Sequence, residues 1–372
     1  MMSRGTSLVT PRTLADIPTP ALIIDVPTME RNIRRMAEFF ADGPCKLRPH
    51  FKAHKTPEIA RRQLAAGSCV GLTCATVGEA EVAAAFCDDL LIANEVIGRD
   101  KCARVAQLAS SVDIKIAIDS DIGLEQIASA AQGAGTTVGV LVEVNIGFRA
   151  GTPPGEPALA LARQVVATPG VELRGLMGYE GVSAGIEERD KRDASARQAL
   201  DRLMSTVSLV RAVGVPCEIV SAGSTGTYDV TGRTEGVTEI QAGSYVLMDG
   251  AYAKQGGPFE RAFSVLGTVV SRPSAGALTA DCGHKSCTQD HGNPEVRDIP
   301  SASVVFLADE HAMISVPADC ALAIGDRIQL WPSHIDPTIN LHDVMYALDG
   351  DKVVGVWPIT ARGYSEQRME KE

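Results

Sequence analysis

Residues 114–144 read IKIAIDSDIGLEQIASAAQGAGTTVGVLVEV. Ile114–Ile118 and Val138–Val144 are short runs rich in β-branched residues, and Leu124–Ala131 between them is built from good helix formers. Strand, helix and strand at this spacing make a βα repeat, the unit that feeds a parallel sheet. The alternation continues outward from about Ala21 to Leu247. Further strands are expected at Lys46–Phe51, Val70–Cys74, Leu90–Asn94, Leu173–Gly178, Glu218–Ser221 and Glu239–Leu247. Further helices are expected at Pro57–Ala66, Val77–Ala85, Ala158–Ala167 and Asp190–Val213. Strands and helices alternating eightfold over roughly 200 residues suggest a (β/α)8 barrel of the TIM type. A doubly wound open sheet alternates in the same way.

Beyond Gly257 the pattern changes. Phe263–Ser271, Leu278–Asp281, Val304–Leu307, Ile328–Trp331, Asp343–Leu348 and Val353–Trp357 are strand-like, with turns such as Asp349-Gly350 and no strong helix between them. A run of strands after a run of βα units argues for a second, mostly antiparallel β domain. The α/β barrel is therefore expected over 19–257 and the β domain over 258–372, with residues 1–18 packing on the latter.

At 372 residues and 45% hydrophobic content, the chain can bury more than one core, since single cores stop growing at roughly 250–300 residues. A formal charge of -11 and a pI near 5.2 oppose a nucleic-acid partner, which draws affinity from clustered Lys and Arg. The nine cysteines are scattered, with no zinc-type Cys-x-x-Cys pair, so they are expected as reduced thiols in a cytoplasmic protein. No apolar run reaches about 18 residues, so neither secretion nor a membrane span is expected.

Arg48-Pro49-His50-Phe51-Lys52-Ala53-His54-Lys55 ends the first barrel strand, at the C-terminal rim where barrel enzymes place their sites. A lysine desolvated among other cations has a lowered pKa and can form a Schiff base with an aldehyde cofactor; a solvated basic loop is the plainer reading. Ser221-Ala222-Gly223-Ser224-Thr225 follows a strand and can ring a phosphate with N–H groups and hydroxyls, or simply make a tight βα turn. Asn145-Ile146-Gly147-Phe148-Arg149 leaves the fifth strand and offers a guanidinium to a planar or carboxylate partner, or a surface arginine.

Pro332-Ser333-His334-Ile335-Asp336-Pro337 follows the strand ending at Trp331. In an extended segment, residues two apart point to the same side. An imidazole and a carboxylate there suit a divalent cation with room for water and substrate, although a turn aspartate beside an exposed histidine reads the same way. His342 is a nearby candidate for a third ligand, although an outer supporting or purely structural role is the stronger expectation. The clusters at Asp281–Lys285 and Asp309–His311 read as hairpin turns.

Taken together, these motifs resemble the D-threonine aldolase and D-serine dehydratase family, whose members join an alanine-racemase-like barrel to a β domain. The motifs are Arg-Pro-His-x-Lys-x-His-Lys at 48–55, Gly178-Tyr179-Glu180-Gly181, Ser221-x-Gly223-x-Thr225, Gly243-Ser244-Tyr245 and His334-x-Asp336-Pro337. The resemblance implies pyridoxal 5'-phosphate held as a Schiff base by Lys52, with the Gly223 and Gly243 loops taking its phosphate and Ser221, Ser224, Thr225, Ser244 and Tyr245 among the cofactor-binding residues. It further implies Arg149 and Tyr179 against the ring, its O3′ or the substrate, and His54 or Lys55 tuning Lys52. Ala75 stands where some relatives carry a Gln, so that contact is missing or passes to Thr76. A non-catalytic pyridoxal-phosphate-binding protein would resemble the barrel alone.

His334 and Asp336 are then the metal ligands. Dehydratases of the family resemble His-x-Cys zinc sites and the aldolases His-x-Asp; a hard carboxylate favours Mn²⁺, Mg²⁺ or Co²⁺ over Zn²⁺. The expected activity is retro-aldol cleavage of a β-hydroxy-D-amino acid of the D-threonine type to glycine and an aldehyde. The alternatives are a 3-hydroxyaspartate aldolase giving glycine and glyoxylate, or a dehydratase giving an α-keto acid and ammonia. The resemblance also implies a homodimer.

Overall fold

The computed structural model describes residues 11–147 and 149–363. In the βα repeat at its centre, the Ser120 hydroxyl accepts the Gly123 N–H and Gly135 turns left-handed at φ 67°, which bounds the helix at Asp121–Ala134. A hydroxyl cap satisfies one orphan donor at the start, and a residue without Cβ makes the left-handed exit cheap.

The first strand, β1 (Ala21–Asp25), is followed by eight parallel strands: β2 (Lys46–Leu47), β3 (Leu72–Cys74), β4 (Asp89–Glu95), β5 (Asp113–Ile118), β6 (Val138–Glu143), β7 (Val171–Met177), β8 (Ile219–Ala222) and β9 (Glu239–Ile240). They pair in the order β2-β9-β8-β7-β6-β5-β4-β3. Leu47 accepts the Val70 N–H at 2.9 Å and Pro49 the Thr73 N–H at 2.9 Å, and these parallel bridges close the ring between β2 and β3. Inside it, Leu91, Ala117, Leu141 and Met177 form their own cluster. The opposite faces of the same strands join the larger core under the helices, and burial on both faces gives the near-continuous apolar runs of the sequence.

All eight expected barrel strands are present, but the first and last stop early. The chain beyond them winds into 3-10 turns at Phe51–Ala53 and Ser244–Val246; Pro49 lacks the N–H that a longer ladder needs. Helices at Val26–Phe39 and Arg99–Leu108 add to those expected.

The remaining strands are β10 (Phe263–Ser274), β11 (Ala277–Ala280), β12 (Glu295–Val296), β13 (Ser303–Leu307), β14 (Ala312–Ser315), β15 (Arg327–Trp331), β16 (Val344–Asp349) and β17 (Lys352–Pro358). They form a second sheet, antiparallel except where β1 runs parallel to β16. Strand β1 lies between β10 and β16, so Ala21–Asp25 belongs to the second sheet although it falls within the barrel unit expected over 19–257. Its four-residue apolar run, Ala21–Ile24, is buried on both faces, which suits a central strand.

Residues just before β1 also lie on this sheet: the Arg327 guanidinium donates to Ala15 O at 2.8 Å and Ile17 O at 2.9 Å. Residues 1–10 of the expected N-terminal packing segment lie outside the described residues. Contrary to expectation a short helix, Ile335–Ile339, interrupts the strands. Among the described residues no helix is long and apolar enough to cross a membrane.

Candidate active site

A cavity of about 580 Å³ opens at the C-terminal rim of the barrel, where the ends of its strands meet the segment after β15. In the turn Phe51–Ala53, Phe51 and Ala53 are 0% and 1% exposed, and the exposed Lys52 between them lines the cavity. Lys55 points elsewhere, paired at 2.5 Å with the buried Glu79. Burial, then the charges of Lys52 and Lys55, hold the His50 imidazole well below its ordinary pKa. His50 lines the cavity and its Nδ1 is buried without a partner.

His54 is a correction. It is 0% exposed, its Nδ1 accepts the Thr56 N–H at 3.2 Å and its Nε2 donates to Gln63 Oε1 at 3.0 Å. Burial lowers its pKa to about 4, so at neutral pH the ring is uncharged, its single N–H is engaged by Gln63, and it does not line the cavity.

The loops after β8 and β9 form the next wall, with Gly223, Ser224, Thr225, Gly243 and Ser244 lining the cavity. Gly223 has φ 87°, and a Cβ there would sit 2.9 Å from Ile240 Cδ1, so the turn requires glycine. Behind it Glu180 is 1% exposed. Its carboxylate accepts the Gly223 N–H at 3.1 Å and the Thr227 and Thr231 hydroxyls at 2.7 Å each. Thr225 Oγ1 accepts the Tyr245 N–H at 3.0 Å, tying the two loops together. Hydroxyls and a glycine turn beside Lys52 fit a phosphorylated aldehyde cofactor.

Two residues expected to bind the cofactor do not line the cavity. Ser221 is 0% exposed and its Oγ accepts from Gln241 Nε2 at 2.8 Å. Tyr245 is also 0% exposed, and its hydroxyl accepts from Gln63 Nε2 at 2.8 Å. Gln241 lines the cavity and carried no signal in the sequence.

Arg149 lines the cavity with its guanidinium held from behind: Nη2 meets both Glu143 oxygens at 2.5 and 2.8 Å and Nη1 meets Asn94 Oδ1 at 2.8 Å. Burial, and a hydrogen bond from Glu95, push the Glu143 carboxyl up to about 8. Tyr179 lines the cavity too; burial, then the charges of Glu180 and Asp336, push its phenol up to about 12, so at neutral pH it is a hydrogen-bond donor. A Cβ on Gly147 would approach Tyr179 O to 2.5 Å, which explains the glycine in the Arg149 loop. Ala75 lines the cavity, but the Thr76 hydroxyl caps the following helix, accepting the Glu79 N–H at 3.2 Å.

His334 and Asp336 both line the cavity. The extended geometry expected of them holds only for His334 (φ -145°, ψ 124°), because the helix begins at Ile335. Asp249, 1% exposed, anchors that start by accepting the Ile335 N–H at 3.2 Å. Asp336 Oδ1 is buried without a hydrogen-bond partner, and a lone buried carboxylate oxygen beside an imidazole fits a cation. Two residues missed in the sequence flank His334, and of these His291 lines the cavity. His334 Nδ1 lies 2.5 Å from Asp290 Oδ2, and the His291 ring stacks on that of His334 at 4.1 Å and 8°. His342 stands apart, its Nε2 donating to Ser286 O at 2.8 Å.

The sequence matches the family model for the alanine racemase N-terminal domain over residues 24–250 and that for a putative serine dehydratase domain over 262–348. The chain belongs to the D-threonine aldolase and D-serine dehydratase family. It is thus an enzyme of the alanine-racemase-like, pyridoxal-phosphate class. An Arthrobacter D-threonine aldolase of this family is 39% identical over 95% of this chain and 94% of its own. A 3-hydroxy-D-aspartate aldolase of Paracoccus denitrificans is 31% identical over 94% and 93%. The crystal structure of the Filomicrobium marinum D-threonine aldolase, 39% identical, superposes with a TM-score of 0.92 over 94% of this chain and 97% of that one.

Proposed function

We propose that this family member is a metal-activated aldolase that cleaves β-hydroxy-D-amino acids of the D-threonine type into glycine and an aldehyde. The observation that carries the reading is Asp336: a carboxylate oxygen without a partner, beside His334, on the cavity that also receives Lys52. The D-threonine aldolase relatives support it.

Lys52 would hold pyridoxal phosphate, with Gly223, Ser224, Thr225, Gly243 and Ser244 lining the same cavity to receive its phosphate, and the cofactor would supply an electron sink for the bond broken at Cα. His334 and Asp336 would hold a divalent cation, whose charge would lower the pKa of the β-hydroxyl; a carboxylate favours Mn²⁺, Mg²⁺ or Co²⁺ over Zn²⁺. His291 lines the same cavity, in place to take the hydroxyl proton as the Cα–Cβ bond is cleaved, and Lys52 is in place to supply a proton to Cα once the aldehyde has left. Tyr179 donates a hydrogen bond into the cavity and Arg149 binds the anionic end of the ligands.

A second reading rests on Lys254. This exposed lysine lines the cavity and suits a substrate with a second carboxylate, as the kinship to the 3-hydroxy-D-aspartate aldolase also suggests. A panel of D-threonine, D-phenylserine and D-3-hydroxyaspartate, assayed for glycine against ammonia, separates the readings. Glycine without ammonia is expected, lost on chelation and restored by Mn²⁺; ammonia as the product would establish a dehydratase. Borohydride should fix the cofactor to the wild-type chain and not to Lys52→Ala.

The nine free thiols support a reducing, cytoplasmic setting. We expect a homodimer of twice the 39.2 kDa chain mass by light scattering.

A further inference from the structure

We infer that Asp290 is a positioning residue for the metal centre, which accepts the His334 Nδ1–H and so fixes the ring with Nε2 free for the cation. The inference rests on the reading of His334 and Asp336 as the metal pair.

Asp290, His291 and His334 offer ligand atoms within 4.8 Å of one another, so a cation bound directly by all three is the competing arrangement. The distance between His334 Nδ1 and Asp290 Oδ2 decides against it. Two donors about 2.1 Å from one ion and a right angle apart are separated by about 3 Å, whereas these atoms are 2.5 Å apart. That is a charge-assisted hydrogen bond, and it consumes Nδ1. A carboxylate on the far nitrogen also makes the metal-facing nitrogen a better donor.

The pair is held on two further sides. The His291 ring lies flat against His334, 4.1 Å away and 8° from parallel, which limits rotation of the imidazole. Behind it, Thr338 is 0% exposed; its hydroxyl donates to His334 O at 2.9 Å and accepts the Thr288 N–H at 3.2 Å. This buried link fixes the segment carrying Asp290 to the backbone that carries His334. The aspartate therefore meets the histidine from a separate part of the chain without depending on solvent-exposed contacts alone.

Mn²⁺ binding to the cofactor-loaded enzyme, followed by titration without substrate, tests the assignment. Asp290→Ala is expected to weaken Mn²⁺ affinity about 10–100-fold while the visible spectrum of the bound cofactor stays unchanged. Asp290→Asn keeps a carbonyl acceptor for Nδ1–H and is expected to recover most of the loss, with the Co²⁺-loaded spectrum as in wild type. An Asn variant as weak as the Ala variant, with a changed Co²⁺ spectrum, would make Asp290 a direct ligand and overturn the positioning role. His334→Ala separates the two levels. If it loses Mn²⁺ while Asp290→Ala keeps full affinity, the positioning role alone falls. If His334→Ala binds Mn²⁺ like wild type, the metal pair itself is refuted.

Discussion

Glu143 shows how far a single side chain here departs from its behaviour in water. It ends β6 at 2% exposure, against Arg149 and beside Glu95. Burial, with the Glu95 hydrogen bond, raises its pKa from 4.5 to about 8. A carboxyl whose pKa is raised on folding binds its proton more tightly in the native state, so its contribution is fully present below the unfolded value. It is lost as pH climbs toward the folded value. Stability is therefore expected to fall between about pH 4.5 and 8, and Glu143→Gln, which cannot ionise, should flatten that part of a plot of melting temperature against pH. A wild-type plot without that decline would refute the assignment. At this scale the sequence was only half legible. It displayed the basic side chains of residues 48–55, but which of them face the cavity depends in part on Glu79 and Gln63, whose side chains claim Lys55 and His54.

At the scale of elements, the loops after β8 and β9 owe their shape to Glu180. Its carboxylate accepts one backbone N–H and two hydroxyls in a dry setting, and each donor left unpaired there costs about 1–3 kcal/mol. Glu180→Ala is expected to weaken cofactor binding roughly tenfold to a hundredfold, at about 1.4 kcal/mol per tenfold. Glu180→Gln, which keeps one acceptor oxygen, should fall between. Spectral titration with pyridoxal phosphate measures both, and circular dichroism should show the helices and strands unchanged. An alanine variant with wild-type cofactor affinity would remove Glu180 from this role. The Gly-Tyr-Glu-Gly motif marked this residue in the sequence, but not its task, because its partners lie 43, 47 and 51 positions away. The helix at Ile335–Ile339 escaped notice for a related reason: one of its first N–H groups is satisfied by Asp249, from a distant part of the chain.

In the whole molecule, the two ends of the barrel carry different duties. At the N-terminal end, Arg48, 2% exposed, bridges Asp89 at 2.5 Å and Glu239 at 2.9 Å, and the buried Lys115 joins Asp89 to Asp113 at 2.7 and 2.8 Å. Removing one partner of a buried ion pair leaves the other uncompensated, at a cost of about 3–5 kcal/mol. Arg48→Ala is accordingly expected to lower the urea midpoint by that equivalent with an unchanged slope, while turnover by the folded fraction stays near wild type. A large loss of turnover without loss of stability would show that this end takes part in catalysis. The sequence by itself determined the eight βα units, the turn to strands after Gly257 and the family motifs, because periodicity and local turn chemistry are properties of neighbouring residues. Only the tertiary structure decided that β1 joins the second sheet, that His54 and Tyr245 are buried supports, and that Asp290 meets His334 across 44 residues. Those outcomes depend on which distant groups exclude water from one another, and no local pattern encodes that.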